Sequence, residues 1–177
     1  MKKRAIVFID GNNWYHNSKK VIDKPSKINL SKLVRFICLK FDLELIEIRY
    51  YNSIPDISDG KEVYYKHQEF LSRLKASGII VKTRKLKKVS KKDIKIEKGI
   101  DVKIAVDMID KCLLKIECDC CILVSGDADF IPAMQIIKDN KKEAITASVI
   151  KGYSRELLQG RFRYLILKKK DLEDLSK

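Results

Sequence analysis

The sequence predicts an α/β fold in which a mostly parallel sheet is covered by helices on both faces. Segments with strand character alternate with segments of helical spacing in the order β-α-β-α-β-α-β-α-β. Several strand segments, such as 4–9 and 120–126, are apolar throughout, which is typical of strands that are buried on both faces. The 177 residues contain no repeat and no linker, so we expect a single domain over 1–177.

The first half of the chain contains three predicted strands. Residues 4–9 (RAIVFI) form a short apolar run that ends at DGNN, so we expect a buried strand followed by a Gly/Asn turn. The next elements are a helix at 29–41 with Asn29 as its cap, a strand at 43–52, a helix at 62–78 that Gly78 ends, and a strand at 79–86.

The second half begins with a basic segment, 85–99, that lacks helical periodicity. The elements predicted after it are a helix at 100–115, an apolar strand at 120–126, a helix at 128–140 with Pro132 in its first turn, a strand at 143–150, a short helix at 154–160, and a last strand or extended tail at 164–169.

The charge balance is strongly basic, with 38 Lys and Arg residues against 24 Asp and Glu and a formal net charge of +14. This excess suits a polyanionic partner such as nucleic acid, although a lysine-rich solvated surface would give the same composition. The hydrophobic content of 45% indicates a globular protein and argues against disorder. No apolar run is long enough to span a membrane, so we expect no membrane partner.

The N-terminus indicates a cytoplasmic protein, and the cysteines are interpreted on that basis. The first apolar run stops at Asp10, too early for the hydrophobic region of a secretory signal. The five cysteines are an odd number, and three of them crowd into CDCC at 118–121. Because no second pair with metal-ligand spacing accompanies them, we expect reduced, mostly buried thiols and no zinc site.

Four aspartates stand where predicted strands end or predicted helices begin. Asp10 ends the first strand, Asp127 and Asp129 follow the fourth strand, and Asp101 lies in the first turn of the helix before it. We expect these side chains to converge at the carboxyl edge of the sheet. Carboxylates this close repel each other unless a cation lies between them, and oxygen ligands suit Mg²⁺ or Mn²⁺. Such an ion would polarise a phosphate and activate water.

Each of these acids also has a structural interpretation. Asp10 and Asp127 could be turn residues, since DG and GD are common turn pairs. Asp101 would gain from the dipole of its helix, and Asp129 could cap the helix that follows it.

A fifth aspartate, Asp107, is predicted to have a structural role. It lies six positions after Asp101 and so faces another side of the same helix. We expect it to pair with Lys103 or Lys111, which are four positions away on either side.

Three segments in order, FIDGNN (8–13), EKGIDVKIAVDM (97–108) and LVSGDADFIPAM (123–134), resemble the NYN domain family, the PIN-like nuclease domains of the LabA/DUF88 group. The resemblance implies a PIN-like three-layer α/β/α sandwich with sheet order 3-2-1-4-5 and a metal-dependent nuclease centre. By this resemblance the catalytic acids and metal ligands would be Asp10, Asp101, Asp127 and Asp129. Asn13 and Ser125 would be supporting polar residues.

The basic segment is predicted to hold the substrate. Residues 82–98 contain nine Lys and Arg residues against two acids and directly precede the helix of Asp101. We expect backbone contacts to a nucleic acid from Lys82, Arg84, Lys85, Lys87, Lys88, Lys91, Lys92 and Lys95. Trp14 is a candidate for base stacking, as are Tyr15, Tyr50 and Tyr51. A solvated loop and ordinary packing of the aromatic rings are the structural alternatives.

Together these observations predict an Mg²⁺- or Mn²⁺-dependent ribonuclease that cuts RNA internally. Two other functions remain open from the sequence. The domain could be a regulatory module that binds RNA or protein without cutting, or a nuclease that acts on DNA, because no residue can be assigned to the 2′-hydroxyl. The oligomeric state is also open, with a homo-oligomer among the options.

Overall fold

The computed structural model describes residues 1–85, 87–89, 94–96 and 99–177. Its strands are β1 (Lys3–Asp10), β2 (Leu43–Ile54), β3 (Ile80–Lys85), β4 (Lys87–Val89), β5 (Ile94–Ile96), β6 (Cys120–Val124), β7 (Glu143–Val149) and β8 (Arg163–Leu167). Its α-helices are α1 (Gly11–Lys19), α2 (Leu30–Phe41), α3 (Lys61–Ala76), α4 (Ile100–Ile109), α5 (Ile131–Asp139), α6 (Arg155–Gln159) and α7 (Lys169–Asp174).

The main sheet has the strand order β3-β2-β1-β6-β7-β8, and each neighbouring pair in it is parallel. The fourth and fifth predicted strands are β6 and β7, so the predicted order 3-2-1-4-5 is confirmed. The sheet has one more strand than that order, because β8 pairs with β7 at the edge. Strands β4 and β5 form a separate antiparallel pair in the basic segment, where no element was predicted.

The sheet separates two hydrophobic cores, which confirms the predicted three-layer α/β/α sandwich. Successive side chains of a strand point to opposite faces. Ala5, Val7 and Ile9 of β1 therefore join the first core, together with side chains of α1, α2, α3 and α7. Ile6 and Phe8 join the second core, together with side chains of α4, α5 and α6. The full burial of these five residues explains why β1 is apolar throughout.

The structure corrects the prediction directly after β1. Residues 11–19 form helix α1, whereas the sequence predicted only a Gly/Asn turn there. Asparagine has a low helix propensity, but two features of the fold outweigh it. The Asp10 side chain caps the helix, and Trp14 anchors it in the first core.

Two helix boundaries also differ from the prediction. The predicted helix 100–115 is α-helical only over α4 and continues as a π-helical turn, Asp110–Leu114. Helix α7 in the C-terminal tail was not predicted. Its six residues form too short a segment to show a periodic pattern, and it is held by Leu172, which is buried in the first core.

All five cysteines are buried, in agreement with the prediction of mostly buried thiols. The sulfur atoms of Cys112 and Cys118 lie 2.8 Å apart in the second core. Burial raises the pKa of Cys38 to about 11, so this thiol stays protonated at neutral pH. Among the described helices, none combines the length and the apolar character that crossing a bilayer would require.

Candidate functional site

The carboxyl ends of the two central strands bring together Asp10, Ser125 and Asp127. Strands β1 and β6 pair in parallel as far as Ile9 and Val124, so the residues that follow lie side by side. The Ser125 hydroxyl donates a hydrogen bond to Oδ2 of Asp10 at 3.1 Å. The main-chain N–H of Asp127 donates to the same hydroxyl oxygen at 3.2 Å. The Ser125 hydroxyl therefore links the carboxylate of Asp10 to the main chain of Asp127.

Asp10 is buried, with 4% of its surface exposed. It continues the series Ile6 and Phe8, so its side chain lies on the sheet face that α4 and α5 cover. Its Oδ1 accepts a hydrogen bond from the main-chain N–H of Asn13 at 3.1 Å, which makes it the N-cap of α1. The positive end of the helix dipole stabilises the charge on this carboxylate.

Asp127 and Asp129 lie in the short 3-10 turn that leads into α5. Asp127 caps this turn, because its Oδ1 accepts a hydrogen bond from the main-chain N–H of Asp129 at 3.0 Å. Asp129 is exposed in the first turn and is not the cap, so that structural interpretation of it was wrong. We use the name acidic edge for Asp10, Ser125, Asp127 and Asp129.

Asp101 lies in the first turn of α4, as predicted, and is exposed. Helix α4 packs against β1, against α5 and against the turn that carries Asp129, so Asp101 belongs to an element beside the acidic edge. Within the described parts of the chain, however, no three His, Cys, Asp or Glu side chains are grouped closely enough to hold a metal ion. The predicted four-carboxylate arrangement is thus not assembled in this conformation.

The chemistry of the acidic edge still suits a hard cation. Its side chains offer only oxygen donors, and Asp10 and Asp127 are linked through the Ser125 hydroxyl and main chain. Mg²⁺ commonly binds through one or two carboxylates and fills its remaining positions with water and substrate phosphate. These residues therefore fit Mg²⁺ or Mn²⁺, and the assignment of the four aspartates as ligands stays a prediction.

A network of asparagines holds the acidic edge in place. The side-chain oxygen of Asn13 accepts hydrogen bonds from the main-chain N–H of Gly126 at 3.0 Å and from Asn17 at 2.9 Å. Asn17 also donates to the main-chain oxygen of Gly152 at 3.3 Å. Asn13 was predicted as a supporting residue, whereas Asn17 was missed. Its position four residues after Asn13, on the same face of α1, was the signal in the sequence.

Close packing reinforces this network. A Cβ atom on Gly126 would lie only 1.5 Å from the main-chain oxygen of Gly152, so no other residue fits at 126 without a backbone shift. The main-chain N–H of Ser154 donates to the oxygen of Gly126 at 2.9 Å. The loops that follow β6 and β7 are therefore fixed to each other, and Asp127 is positioned by both.

Two of the predicted basic residues can be located on β3. Lys82 pairs in register with Tyr51, whose side chain belongs to the second core, so Lys82 and Arg84 lie on the same sheet face as Asp10. The guanidinium group of Arg84 packs against Gly99, where an added Cβ would lie 2.3 Å from Nη1. Arg84 thus reaches the start of α4, two residues before Asp101.

The other six predicted basic positions fall in the segment 85–95. Lys91 and Lys92 lie outside the described residues, as do the side chains of Lys85, Lys87, Lys88 and Lys95. The role of all eight basic residues in nucleic-acid binding stays a prediction.

Asp107 belongs to a second group, made of three charged residues and a tyrosine, which we call the charge cluster: Arg49, Tyr51, Lys103 and Asp107. Lys103 lies 2.8 Å from Oδ1 of Asp107, so of the two partners predicted for Asp107, Lys103 is the one observed. Arg49 at 3.1 Å and the Tyr51 hydroxyl at 2.8 Å donate to Oδ2. Burial works to raise the pKa of Asp107, but the hydrogen bonds from Lys103 and Tyr51 outweigh it, so this pKa is lowered.

The aromatic residues differ in how much surface they offer to a base. Tyr51 is fully buried in the charge cluster, so for this candidate the packing alternative is the one observed. Trp14 and Tyr50 are 6% and 2% exposed and belong to the first core. Tyr15 is 43% exposed and has the largest accessible surface of the four candidates. The base-stacking role of Trp14 stays a prediction.

Comparison with known proteins supports the resemblance found in the segments 8–13, 97–108 and 123–134 of the sequence. The model of the NYN domain family matches residues 4–166. The Low amplitude and bright protein LabA of Synechococcus elongatus is 24% identical over 176 residues, which cover 97% of this chain and 85% of that protein. The crystal structure of a protein of unknown function from Vibrio parahaemolyticus has the same fold, with a TM-score of 0.67, 19% identity and 94% of each chain covered.

Proposed function

Because the chain belongs to the NYN domain family, whose members are generally nucleases, we propose that it is a divalent-metal-dependent endoribonuclease whose centre is the acidic edge. The observation that carries this proposal is the link Asp10–Ser125–Asp127 across the two central strands. It supports the proposal because it joins the ends of two strands, each of which carries an aspartate, at the carboxyl edge of a parallel sheet, where such folds bind ligands.

The residues of the acidic edge would have distinct roles. Asp10 and Asp127 would hold the ion, with Asp129 and Asp101 as further ligands, direct or through water. When bound, Mg²⁺ or Mn²⁺ supplies charge stabilisation at the phosphate and lowers the pKa of a coordinated water. Ser125 orients the Asp10 carboxylate by hydrogen bonding.

The RNA strand would be held by basic residues beside the acidic edge. Lys82 and Arg84 are the described candidates, because they lie on the same sheet face as Asp10. Such phosphate contacts strengthen binding but do not read the base sequence. We therefore expect cleavage to weaken steeply as the salt concentration rises.

Cleavage of labelled RNA tests the proposal. The wild-type protein would be incubated with single-stranded RNA and with DNA of the same sequence, in Mg²⁺, in Mn²⁺ and in EDTA. We expect cleavage of RNA that requires the ion and falls at least about 1,000-fold in Asp10→Asn and Asp127→Asn. Asparagine still caps a helix, so these variants should fold. Asp139→Asn, an exposed acid on α5, is the matched control and should cleave normally.

One structural observation favours a second candidate, a module of the same fold that binds RNA or a protein without cutting. In the described residues the acids do not form a group of three that could hold an ion. In that case RNA binding would persist without cleavage in every metal, and Asp10→Asn would leave binding unchanged. Cleavage that survives both Asp10→Asn and Asp127→Asn would exclude the acidic edge as the centre. If DNA is cleaved efficiently and RNA is not, the protein is a DNA-directed nuclease and the RNA assignment is wrong.

We also propose that the protein acts in the cytoplasm. The burial of all five cysteines supports this location, because thiols of this kind are typical of proteins in reducing compartments. Fractionation of cells that produce the tagged protein would test it.

A further inference from the structure

A large cleft lies on the other face of the sheet from the charge cluster, next to the start of α1. It has a volume of about 800 Å³ and is lined by α1, by the carboxyl end of β2, by α3 and by the segment before α2. This volume is in the range of sites that bind small organic groups. Its walls are mostly apolar and include the rings of Trp14, Tyr15, Tyr50 and Phe70.

The floor of the cleft adjoins the acidic edge. Gly11, which lines the cleft, directly follows Asp10 in the chain. A Cβ on Gly11 would lie 2.3 Å from the hydroxyl oxygen of Tyr50, so that hydroxyl packs directly against the first turn of α1. Burial raises the pKa of Tyr50, and the nearby charge of Asp10 raises it further. The floor of the cleft therefore lies within electrostatic range of the Asp10 carboxylate.

The cleft also contains polar groups that can recognise a heterocycle. The Tyr50 hydroxyl accepts a hydrogen bond from Asn52 at 3.1 Å, and its raised pKa keeps it protonated and able to donate. Burial lowers the pKa of His67, so its imidazole is neutral at pH 7 and carries one donor and one acceptor. Within the described part of the protein, Nε2 of His67 is buried without a hydrogen-bond partner.

The mouth of the cleft carries aromatic and cationic side chains. Tyr15, 43% exposed, presents an accessible ring. Lys66 and Arg73 of α3 also line the cleft, and each lies near an acid four residues earlier, at 2.6 Å from Glu62 and 3.6 Å from Glu69. Exposed pairs of this kind are weak, so both cations remain able to contact a phosphate.

We propose that this cleft binds one unpaired nucleobase of the RNA strand that is cut at the acidic edge, an inference that rests on the proposed nuclease function. The base stacks on Tyr15 at the mouth and meets the polar groups of Asn52 and His67 inside. Its own phosphate then lies toward Gly11 and Asp10. Aromatic stacking accepts any base, because every base has a π face.

This arrangement selects single-stranded RNA. A base within a duplex is stacked and paired, and it must leave the helix before it can enter a cleft. An unpaired base enters without that energetic cost. The cleft would therefore make the enzyme prefer loops and single strands, whereas the acidic edge alone would accept any exposed phosphate.

Binding of RNA with single abasic positions tests the cleft separately from cleavage. Labelled oligonucleotides of about twelve residues, each with one abasic ribonucleotide, would be titrated with the Asp10→Asn protein and followed by fluorescence anisotropy. We expect one position, or two adjacent ones, at which loss of the base weakens binding about tenfold. In Asp10→Asn/Tyr15→Ala the intact strand should bind about tenfold more weakly, and the abasic position should no longer matter.

Two further variants keep this test decisive. Tyr164→Ala removes a ring of similar exposure, 50%, on the distant strand β8 and should leave the abasic profile unchanged. Val63→Trp adds a bulky side chain to an exposed residue of the cleft wall and should reproduce the Tyr15→Ala result by filling the space. The melting temperature of each variant would show that it is folded.

The outcomes separate the cleft from the nuclease. If the affinity is the same wherever the abasic position stands in the strand, the proposed base binding in the cleft is refuted, even when cleavage at the acidic edge is demonstrated. A Tyr15-dependent profile in a protein that cuts nothing supports the cleft and refutes the nuclease. Titration with free nucleoside 5′-monophosphates gives the last comparison. If they bind in a Tyr15-dependent way while the abasic profile is flat, the cleft is a mononucleotide site and the strand-binding inference fails.

Discussion

The charge cluster and the acidic edge both contain aspartates on the same face of the sheet, but the partners of these aspartates differ. Asp107 of the charge cluster is held by Arg49 and Lys103 as well as by a phenol. Asp10 is held by a main-chain amide and a serine hydroxyl. Asp107 therefore sits in a buried ion pair, whereas Asp10 lies at the carboxyl edge of the parallel sheet, where such folds bind ligands.

This difference separates a stabilising role from a chemical one. A buried carboxylate with two cationic partners has no capacity left for an ion. A carboxylate at the edge of the sheet whose direction is fixed by hydrogen bonds is suited to binding a metal. The comparison predicts that substitutions in the charge cluster affect stability and that substitutions in the acidic edge affect ion binding.

The largest expected effect on stability comes from Asp107→Asn. It leaves Arg49 buried with Glu47 as its remaining carboxylate partner, so we expect the free energy of unfolding to fall by about 3 kcal/mol. Urea denaturation would measure it. Asp110→Asn, which removes the partner of the exposed Lys115 side chain, is the control and should change stability by less than about 1 kcal/mol. Equal effects of the two substitutions would show that the charge cluster has no special role.

The stabilisation by Asp107 should also depend on pH. Its pKa is lowered in the folded state, so its contribution is fully present above the unfolded pKa of about 4 and is lost as the pH falls through the folded value. The difference in unfolding free energy between wild type and Asp107→Asn should therefore be constant from about pH 5 to 7 and shrink below about pH 4. A difference that grows in acid would contradict the assignment.

In contrast to Asp107→Asn, Asp10→Asn should leave the stability of the metal-free protein almost unchanged and weaken its response to metal. Asparagine keeps the capping hydrogen bond, so without metal we expect the unfolding free energy to change by no more than about 1 kcal/mol. Mn²⁺ at about 100 times its dissociation constant should stabilise the wild type by about 2.7 kcal/mol and the variant much less. Thermal unfolding with and without Mn²⁺ measures both quantities. The same Mn²⁺ response in wild type and variant would remove Asp10 from the ligand set.

The smallest effect is expected at Asp119, an acid at the opposite end of β6. The hydrogen bonds from the Arg4 side chain and main chain lower the pKa of Asp119 to about 2. Both side chains are more than a third exposed, at 43% and 37%, so water screens the pair. Asp119→Asn should cost less than about 1 kcal/mol in unfolding free energy and leave the response to Mn²⁺ intact. A larger loss would mean that exposure is a poor guide to the strength of this pair.

Much of the sheet could be predicted from the sequence, because each central strand is an apolar run and each long helix between the strands has apolar residues at helical spacing. Helix α1 could not, since its local sequence GNNWYHNSK favours a turn and only the Asp10 cap and the burial of Trp14 make it helical. The antiparallel pair β4–β5 was missed for a similar reason. Strands of three residues carry too few positions to show a period of two.

The candidate site was predictable where the order of elements determines it. Asp10 ends β1 and Asp127 follows β6, and because these strands are parallel neighbours, both residues lie at the same edge of the sheet. The partners of Asp107 illustrate the limit. Lys103 lies one turn away on the same helix and was predicted, whereas Arg49 comes from another element 58 residues away. Its contact depends on the register and on the packing of α4, which the sequence alone does not reveal.

The hydrogen bond between Asp10 and Ser125 joins residues 115 positions apart, and this has a consequence for the synthesis of the protein. A growing chain emerges from the ribosome N-terminus first, so β1 must wait for β6 before the two can pair. Until then Asp10 has no serine to orient it, and the acidic edge does not exist. The acidic edge therefore forms only after synthesis has passed β6, and a fragment that ends before Ser125 lacks it.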